Sequence, residues 1–202
     1  MPAECARPQH GVAGLPARHS GMETAPRRRG VFPGSFNPLT VAHLDIAKRA
    51  REQHGLESID LIVSLVALGK PTPPGPAIED RVQLIEQDLI DIPWLSVKTT
   101  PYQLIADISN GYDAVIMGAD KWQQVNDPSY YHSITDRDEA IARLPKIIVV
   151  ADRSGYPTST DYHLETDASL GDVSSTEARA GNRSMMAPAA AAHWQDEDPD
   201  QS

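Results

Sequence analysis

The chain has 202 residues, enough for one sizeable hydrophobic core and a small appendage. Its net charge of -10 and its pI near 5.0 disfavour non-specific nucleic-acid binding, which requires a basic surface. A single cysteine, Cys5, excludes a disulfide within the chain, and no apolar stretch approaches the length that spans a bilayer. We therefore expect a cytoplasmic protein without membrane or nucleic-acid partners, in which any anionic ligand binds in a local positive pocket.

The two ends of the chain lack the periodic apolar pattern of the middle. Residues 1–26 are predicted to form a disordered leader, and either Met1 or Met22 is compatible with the true start. Residues 184–202 are rich in alanine, proline and acidic residues, and they are predicted to form a disordered tail. One folded domain is expected between them, over residues 27–183.

Short, nearly continuous apolar runs alternate with helical patterns along this domain. The runs predict buried parallel strands at Gly30–Phe32, Ile59–Val66, Leu95–Thr99, Ala114–Met117 and Ile147–Ala151. The helical patterns between them are Thr40–Gln53, Ile78–Ile90, Tyr102–Ser109 and Arg137–Leu144. Gly55 and Gly111, just past two of these helices, are typical left-handed helix terminators. The alternation predicts an α/β fold with a doubly wound parallel sheet.

The first predicted strand leads into the turn Gly34-Ser-Phe-Asn-Pro38. Gly34 lets backbone N–H groups approach an anion, because it has no β-carbon. Thr40 is a good N-cap, so the following helix adds unpaired N–H groups and a partial positive charge. His43 lies on the same helical face and can donate a hydrogen bond to a phosphate above the turn. The pattern differs from the dinucleotide fingerprint and from the P-loop, and its alternative interpretation is a histidine that caps a neighbouring group.

A second candidate anion site begins at Ser174, which has capping-box spacing to Glu177. Ser175, Thr176 and Arg179 then cluster near the first turn of a short predicted helix. They offer hydroxyls, free N–H groups and a guanidinium fork to an anion of high charge. Alone, the segment favours an ordinary capped surface helix; together with the first motif it indicates a polyphosphate site.

At these residues the sequence resembles the nucleotidylyltransferase superfamily, and within it the nicotinamide or nicotinate mononucleotide adenylyltransferases. The family motifs G-x-F-x-P, H/T-x-x-H and S-S-T-x-x-R match Gly34–Pro38, Thr40–His43 and Ser174–Arg179. A further family feature after the fourth strand is Gly118-Ala-Asp120. The likeness covers roughly residues 29–181 and implies a Rossmann-like fold.

The resemblance implies that a mononucleotide phosphate attacks the α-phosphorus of ATP and that pyrophosphate leaves. In the family's scheme His43, Thr40 and Arg179 are the catalytic residues, and His43 binds the α-phosphate. The residues implied to hold the departing β/γ end are Ser174, Ser175, Thr176 and Arg179. Gly34 and Gly118 complete the implied ATP site, with Asp120 on ribose hydroxyls. Mg²⁺ is expected to be held mainly by phosphates and water.

The acceptor end departs from the family pattern. Bacterial relatives carry a tryptophan well after Gly-Ala-Asp that stacks on the pyridine ring, whereas Tyr130-Tyr131 stands there in this chain. We expect Trp122 to face the acceptor instead, with a core or rim role as the alternative. Main chain at Ser35 and Phe36 is implied to lie against the acceptor. Lys70, in a proline-rich loop, and Arg153 are added as candidate ligands, while Arg81 is interpreted as a solvated helix residue.

These motifs predict an adenylyltransferase that acts on a pyridine mononucleotide in NAD biosynthesis. One alternative keeps the chemistry and changes the acceptor to phosphopantetheine, a sugar phosphate or another small phosphate. Another is a nucleotide-binding regulator without turnover, which the presence of the transfer histidine disfavours. The amide or acid form of the pyridine ring and the formation of a homo-oligomer stay open.

Overall fold

The computed structural model describes residues 27–65, 75–156, 161–170 and 173–196. The predicted leader, Lys70 and the last six residues of the predicted tail lie outside the described residues.

Within these described ranges, six parallel strands form one sheet in the order β3-β2-β1-β4-β5-β6. Their bounds are β1 Arg29–Pro33, β2 Ser58–Ser64, β3 Leu95–Thr100, β4 Ala114–Gly118, β5 Ile147–Ala151 and β6 His163–Leu164. This order places a topological switch between β1 and β4, where connections leave in opposite directions. The predicted doubly wound parallel α/β fold is therefore confirmed.

Seven α-helices accompany the sheet in the described part of the chain. They are α1 Val41–His54, α2 Ile78–Asp88, α3 Ile105–Ile108, α4 Ala119–Asn126, α5 Ile134–Ala142, α6 Ser175–Arg179 and α7 Pro188–Asp196. Short 3-10 helices occur at Pro128–Tyr130, Ala168–Leu170 and Arg183–Met185. The first two predicted helices are confirmed within two residues, and Gly55 ends α1 with a φ of 59°.

Two predicted helices have different bounds. The helix expected over Tyr102–Ser109 shrinks to α3, because the chain crosses the end of the sheet first, where the Ser64 hydroxyl donates to the Tyr102 carbonyl at 2.7 Å. Helix α5 begins three residues before its predicted start, because Ser133 caps it and accepts a hydrogen bond from the N–H of Asp136 at 3.1 Å.

Both faces of the sheet are covered. Along β1, Val31 is buried in one core cluster and its neighbour Phe32 in the other, as strand alternation requires. Helices α1 and α2 pack on the Phe32 side, and α3, α4 and α5 pack on the Val31 side. Burial on both faces explains why the strands have nearly continuous apolar sequences.

One buried carboxylate ties three strands together. Asp60 on β2 is 5% exposed and accepts hydrogen bonds from Lys98 at 2.7 Å, Arg29 at 3.0 Å and the Tyr112 hydroxyl at 2.6 Å, with Ser96 as a fourth donor. Burial alone raises the pKa of Asp60, but the hydrogen bonds from Lys98, Ser96 and Tyr112 outweigh it and lower the pKa to about 2. We call these five residues the Asp60 network.

The predicted disordered tail is wrong for residues 184–196. Helix α7 packs against α2, with Ala187 and Ala190 buried. The N–H of Ala189 donates to the Asp88 carboxylate at 2.7 Å, which satisfies one free donor at the start of α7. The alanines that suggested low complexity are instead strong helix formers whose small side chains permit close packing. No helix within the described ranges has the length and apolar character needed to cross a membrane.

Candidate active site

A cleft of ≈ 460 Å³ lies at the carboxyl ends of the strands and brings the two sequence motifs together. From the first motif it is lined by Gly34, Ser35, Phe36 and His43. From the second it is lined by Ser174, Ser175, Thr176 and Arg179. The carboxyl edge of an open parallel sheet at its switch point is where such folds bind ligands.

The start of α1 fixes the imidazole of His43. Thr40 is the N-cap, and its hydroxyl accepts a hydrogen bond from the N–H of His43 at 3.3 Å. In return, the N–H of Thr40 donates to Nδ1 of His43 at 3.1 Å. A nitrogen that accepts an N–H bond carries no proton, so the neutral ring has its proton on Nε2. This capping box therefore makes His43 an Nε2–H donor.

Thr40 acts behind His43 and does not line the cleft. Thr40 is fully buried, and its hydroxyl lies 2.8 Å from Nδ1 of His43. The resemblance placed Thr40 among the catalytic residues; the structure corrects this to a positioning role. A helix cap must accept from its own first turn, which directs the side chain away from a ligand.

His43 is held neutral. Burial lowers its pKa to about 3, and the positive charge of Arg153 acts in the same direction. The ring is also packed edge-on by Phe36 and Phe32, with centroids 5.1 Å and 6.0 Å away. His43 is thus suited to stabilise negative charge through one oriented hydrogen bond, without changing its own protonation near pH 7.

The turn after β1 is closed by Phe36, whose ring is buried beneath it. A β-carbon at Gly34 would lie 2.7 Å from this ring. Glycine is therefore required at position 34 to seat Phe36, in addition to leaving the main chain accessible. The N–H of Gly34 donates to the Ile62 carbonyl at 3.0 Å, which fixes the turn to β2.

The second motif is bonded directly to this turn. The Ser175 hydroxyl donates to the Pro38 carbonyl at 2.8 Å, and a guanidinium nitrogen of Arg179 donates to the Asn37 carbonyl. The Ser174 hydroxyl caps α6 by accepting from the N–H of Glu177 at 3.1 Å. The hydroxyls of Ser174 and Ser175 are thus engaged in structure, while Thr176 and Arg179 line the cleft beside them.

Gly118, Asp120 and Arg153 form a second wall of the cleft. Gly118 precedes α4, and a β-carbon there would lie 2.6 Å from Oδ1 of Asp120. Arg153 lies 3.8 Å from the same carboxylate oxygen and donates to the Val173 carbonyl at 3.0 Å. Asp120 consequently presents a carboxylate in the cleft, an acceptor suited to sugar hydroxyls.

Trp122 is not where the sequence analysis placed it. Helix α4 directs Lys121 and Gln124 into the cleft, so Trp122 falls on another face, where its ring packs 5.3 Å from that of Tyr162. The core alternative is therefore correct for Trp122. Tyr131 is also used structurally, since its hydroxyl donates to the Val125 carbonyl at 2.9 Å.

Few aromatic side chains reach the cleft. The three Trp, six Tyr and two Phe residues of the chain all fall within the described ranges. Of these, Phe32 and Phe36 line the cleft, and both are buried in its floor. The aliphatic side chains of Ile105 and Ile108 and the amide side chain of Gln103 line another part of the cleft.

Arg81 is the main residue that sequence reasoning missed. It is 6% exposed and lines the cleft, where it donates to the Ser35 carbonyl at 3.2 Å and to the Pro76 carbonyl at 3.0 Å. Arg81 lies on the same face of α2 as Ile78 and Ile85. This spacing in the sequence could have predicted that its side chain points inward.

The fold and the paired phosphate motifs define a nucleotidyltransferase. The sequence model of the Cytidylyltransferase-like family matches residues 31–181, so the chain belongs to this family. It is 28% identical over 165 residues to a protein of Lactiplantibacillus plantarum named "Probable nicotinate-nucleotide adenylyltransferase", covering 76% of this chain and 75% of that protein. It is 29% identical over 170 residues to the phosphopantetheine adenylyltransferase of Corynebacterium diphtheriae, covering 82% and 94%. The chain is thus a nucleotidyltransferase of the Cytidylyltransferase-like family, and both of these relatives are named as adenylyltransferases.

Proposed function

We propose that the chain transfers AMP from ATP to nicotinate or nicotinamide mononucleotide and releases pyrophosphate, a step of NAD biosynthesis. The observation that carries the proposal is the meeting of His43 and Arg179 in one cleft, at the switch point of the sheet. One supplies an oriented neutral donor and the other a permanent cation, the two groups that a reacting triphosphate requires at different points along its length.

In the proposed reaction an oxygen of the acceptor phosphate forms a bond to the α-phosphorus of ATP. The bond from that phosphorus to the bridging oxygen breaks, and its electron pair leaves with pyrophosphate. Nε2–H of His43 donates to the α-phosphate, where negative charge shifts as the bonds exchange. Arg179 and Thr176 hold the β/γ end, with the free N–H groups at the start of α6. No proton needs to move, which suits a histidine that stays neutral.

Mg²⁺ is proposed to enter with ATP, where it would neutralise phosphate charge. The described residues contain no group of three or more His, Cys, Asp or Glu side chains that could hold a metal. The carboxylates of Asp120 and Asp152 line the cleft and could contact a hydrated ion carried by the phosphates.

Two observations support a pyridine mononucleotide as the acceptor. The similarity to the nicotinate-nucleotide adenylyltransferase extends over three quarters of both chains. The part of the cleft lined by Ile105 and Ile108, which we assign to the acceptor, also offers the amide groups of Gln103 and Gln124. These hydrogen-bonding groups suit a ribose and a ring carboxamide or carboxylate.

Phosphopantetheine is the second candidate acceptor, favoured by the location of the aromatic side chains. The cleft presents no exposed aromatic ring for a pyridine to stack on, although every aromatic residue of the chain lies in a described range. Ile105 and Ile108 would instead contact a flexible aliphatic chain. The long match to a phosphopantetheine adenylyltransferase supports the same alternative.

An acceptor panel tests the proposal. The protein is incubated with ATP, Mg²⁺ and one of nicotinate mononucleotide, nicotinamide mononucleotide or phosphopantetheine, and pyrophosphate release is followed. We expect turnover with a pyridine mononucleotide. Turnover with phosphopantetheine alone would establish the second candidate, and absence of release with all three would contradict both.

A further inference from the structure

Arg81 lies in the first turn of α2, but its side chain is buried beneath the cleft. Its two terminal nitrogens donate to the carbonyls of Ser35 and Pro76 at 3.2 and 3.0 Å. Its Nε is buried and has no hydrogen-bond partner among the described residues. A guanidinium has five N–H donors, so the two carbonyls leave part of its capacity unused.

The charge of Arg81 has no acidic partner in the part of the chain that the structure describes. None of the ion pairs found there within 4.0 Å includes Arg81 or Arg179. Burial lowers the pKa of Arg81, and the positive charge of Arg179 lowers it further. Burying an unpaired cation beside another cation is unfavourable unless an anion joins them.

The two arginines hold the same turn from two points. Arg81 binds the carbonyl of Ser35, and Arg179 binds that of Asn37, two residues further along. These carbonyls would otherwise present negative dipoles next to an incoming phosphate. With both bound to guanidiniums, the turn between β1 and α1 is held in one orientation, and positive charge lies on either side of it.

We propose that Arg81 is a pyrophosphate-binding residue that pairs with Arg179 and positions the turn formed by Gly34–Phe36. The identity of its anion rests on the proposed function, since pyrophosphate is the product of adenylyl transfer. In this arrangement Arg179 approaches the anion from α6 and Arg81 from α2, so the leaving group lies between cations from both halves of the sheet.

A purely structural role is the competing explanation. The protein itself shows how a structural arginine is arranged, because Arg29 pairs with the buried carboxylate of Asp60 at 3.0 Å. Arg81 has carbonyl partners only among the described residues, which position its guanidinium without neutralising it. The two roles differ in a measurable quantity, the affinity for free pyrophosphate.

The test measures binding of inorganic pyrophosphate to the full chain by isothermal titration calorimetry, with and without Mg²⁺. We expect Arg81→Gln to weaken binding by about 10- to 100-fold, the range for loss of a charge-assisted hydrogen bond. Arg81→Lys keeps the charge but loses the fork, and a loss of about 3- to 10-fold is expected. Arg27→Gln is the matched control, because the side chain of Arg27 is 83% exposed and lies outside the cleft. The pyrophosphate affinity of this variant should equal that of wild type.

Circular dichroism first establishes that each variant folds. If Arg81→Gln does not fold, Arg81→Lys decides alone, and wild-type pyrophosphate affinity in it would overturn the inference. A structural role would lower the unfolding temperature without changing pyrophosphate affinity in the folded protein. Because no acceptor is present, this experiment is independent of the acceptor panel. If the protein adenylylates none of the acceptors but the variants lose pyrophosphate affinity, the proposed function fails and the role of Arg81 stands. If the protein adenylylates an acceptor but the variants keep pyrophosphate affinity, the proposed function stands and Arg81 is not a pyrophosphate-binding residue.

Discussion

The Asp60 network and the cleft both bury charge in this protein, but they balance it differently. In the network one carboxylate receives hydrogen bonds from two cations and two hydroxyls, so its requirements are met within the fold. In the cleft Arg81 and Arg179 have carbonyl partners and no carboxylate within 4.0 Å among the described residues. No member of the network lines the cleft. The difference separates charge that stabilises the fold from charge available to a ligand.

This contrast gives opposite expectations for mutations. Changes in the network should reduce the free energy of unfolding and leave catalysis intact. Changes in the cleft should reduce binding or rate and alter stability less.

The largest effect is expected for His43→Ala. Loss of one oriented donor to the reacting phosphate should lower the rate of adenylyl transfer by about 10²–10³. The measurement is pyrophosphate release at saturating ATP and acceptor. A rate within a few-fold of wild type would contradict the role of His43. The unfolding temperature of the variant serves as the control for folding.

Asp60→Ala is expected to lower the free energy of unfolding by about 2–3 kcal/mol, because four donors lose their common buried acceptor. Urea unfolding measures it. Asp138→Ala, which removes an exposed ion pair with Arg137, is the control and should cost under about 1 kcal/mol. Unchanged turnover in folded Asp60→Ala would support the separation of the two regions. A large loss of turnover would contradict the conclusion that the network and the cleft have separate roles.

Arg179→Ala should weaken the binding of ATP and of pyrophosphate by about tenfold or more, and the binding of the acceptor much less. The comparison is made from KM values for both substrates and from inhibition by pyrophosphate. Equal loss for ATP and the acceptor would mean that Arg179 does not belong to the leaving-group end.

The smallest effect is the response to acid. The pKa of Asp60 is lowered to about 2 in the folded protein, below the ordinary aspartate value of 3.8. Its stabilising contribution is therefore complete above about pH 4 and is lost as the pH falls towards 2. Urea unfolding between pH 2.5 and 5 should show a steeper loss for wild type than for Asp60→Asn. Parallel curves would show that Asp60 does not contribute to acid sensitivity.

The sequence was informative wherever neighbouring residues determine structure. Apolar runs located five strands, and Thr40, Gly55 and Ser174 marked the ends of helices through local hydrogen bonds. Local patterns failed where packing decides. The alanine-rich segment after residue 187 became α7 because Asp88, about one hundred residues earlier, caps it.

The candidate site divides in the same way. The motifs predicted roles for His43 and Arg179 from their residue types and spacing, and the structure places both residues in one cleft. Trp122 was misplaced, since two residues along a helix change the face that a side chain occupies. Arg81 was interpreted as solvated, because an arginine on an amphipathic helix is usually exposed, and only the packing of α2 shows that it is buried.

By itself, the sequence determined the parallel α/β class, the two motifs that line the cleft and the family. The tertiary structure decided which of those side chains share a cleft and which hydroxyls are consumed in holding it together. It also decided that Arg81 is a buried cation with no acid beside it among the described residues. The physical reason is that periodicity and capping act over a few residues, whereas charge balance depends on neighbours brought together from distant parts of the chain.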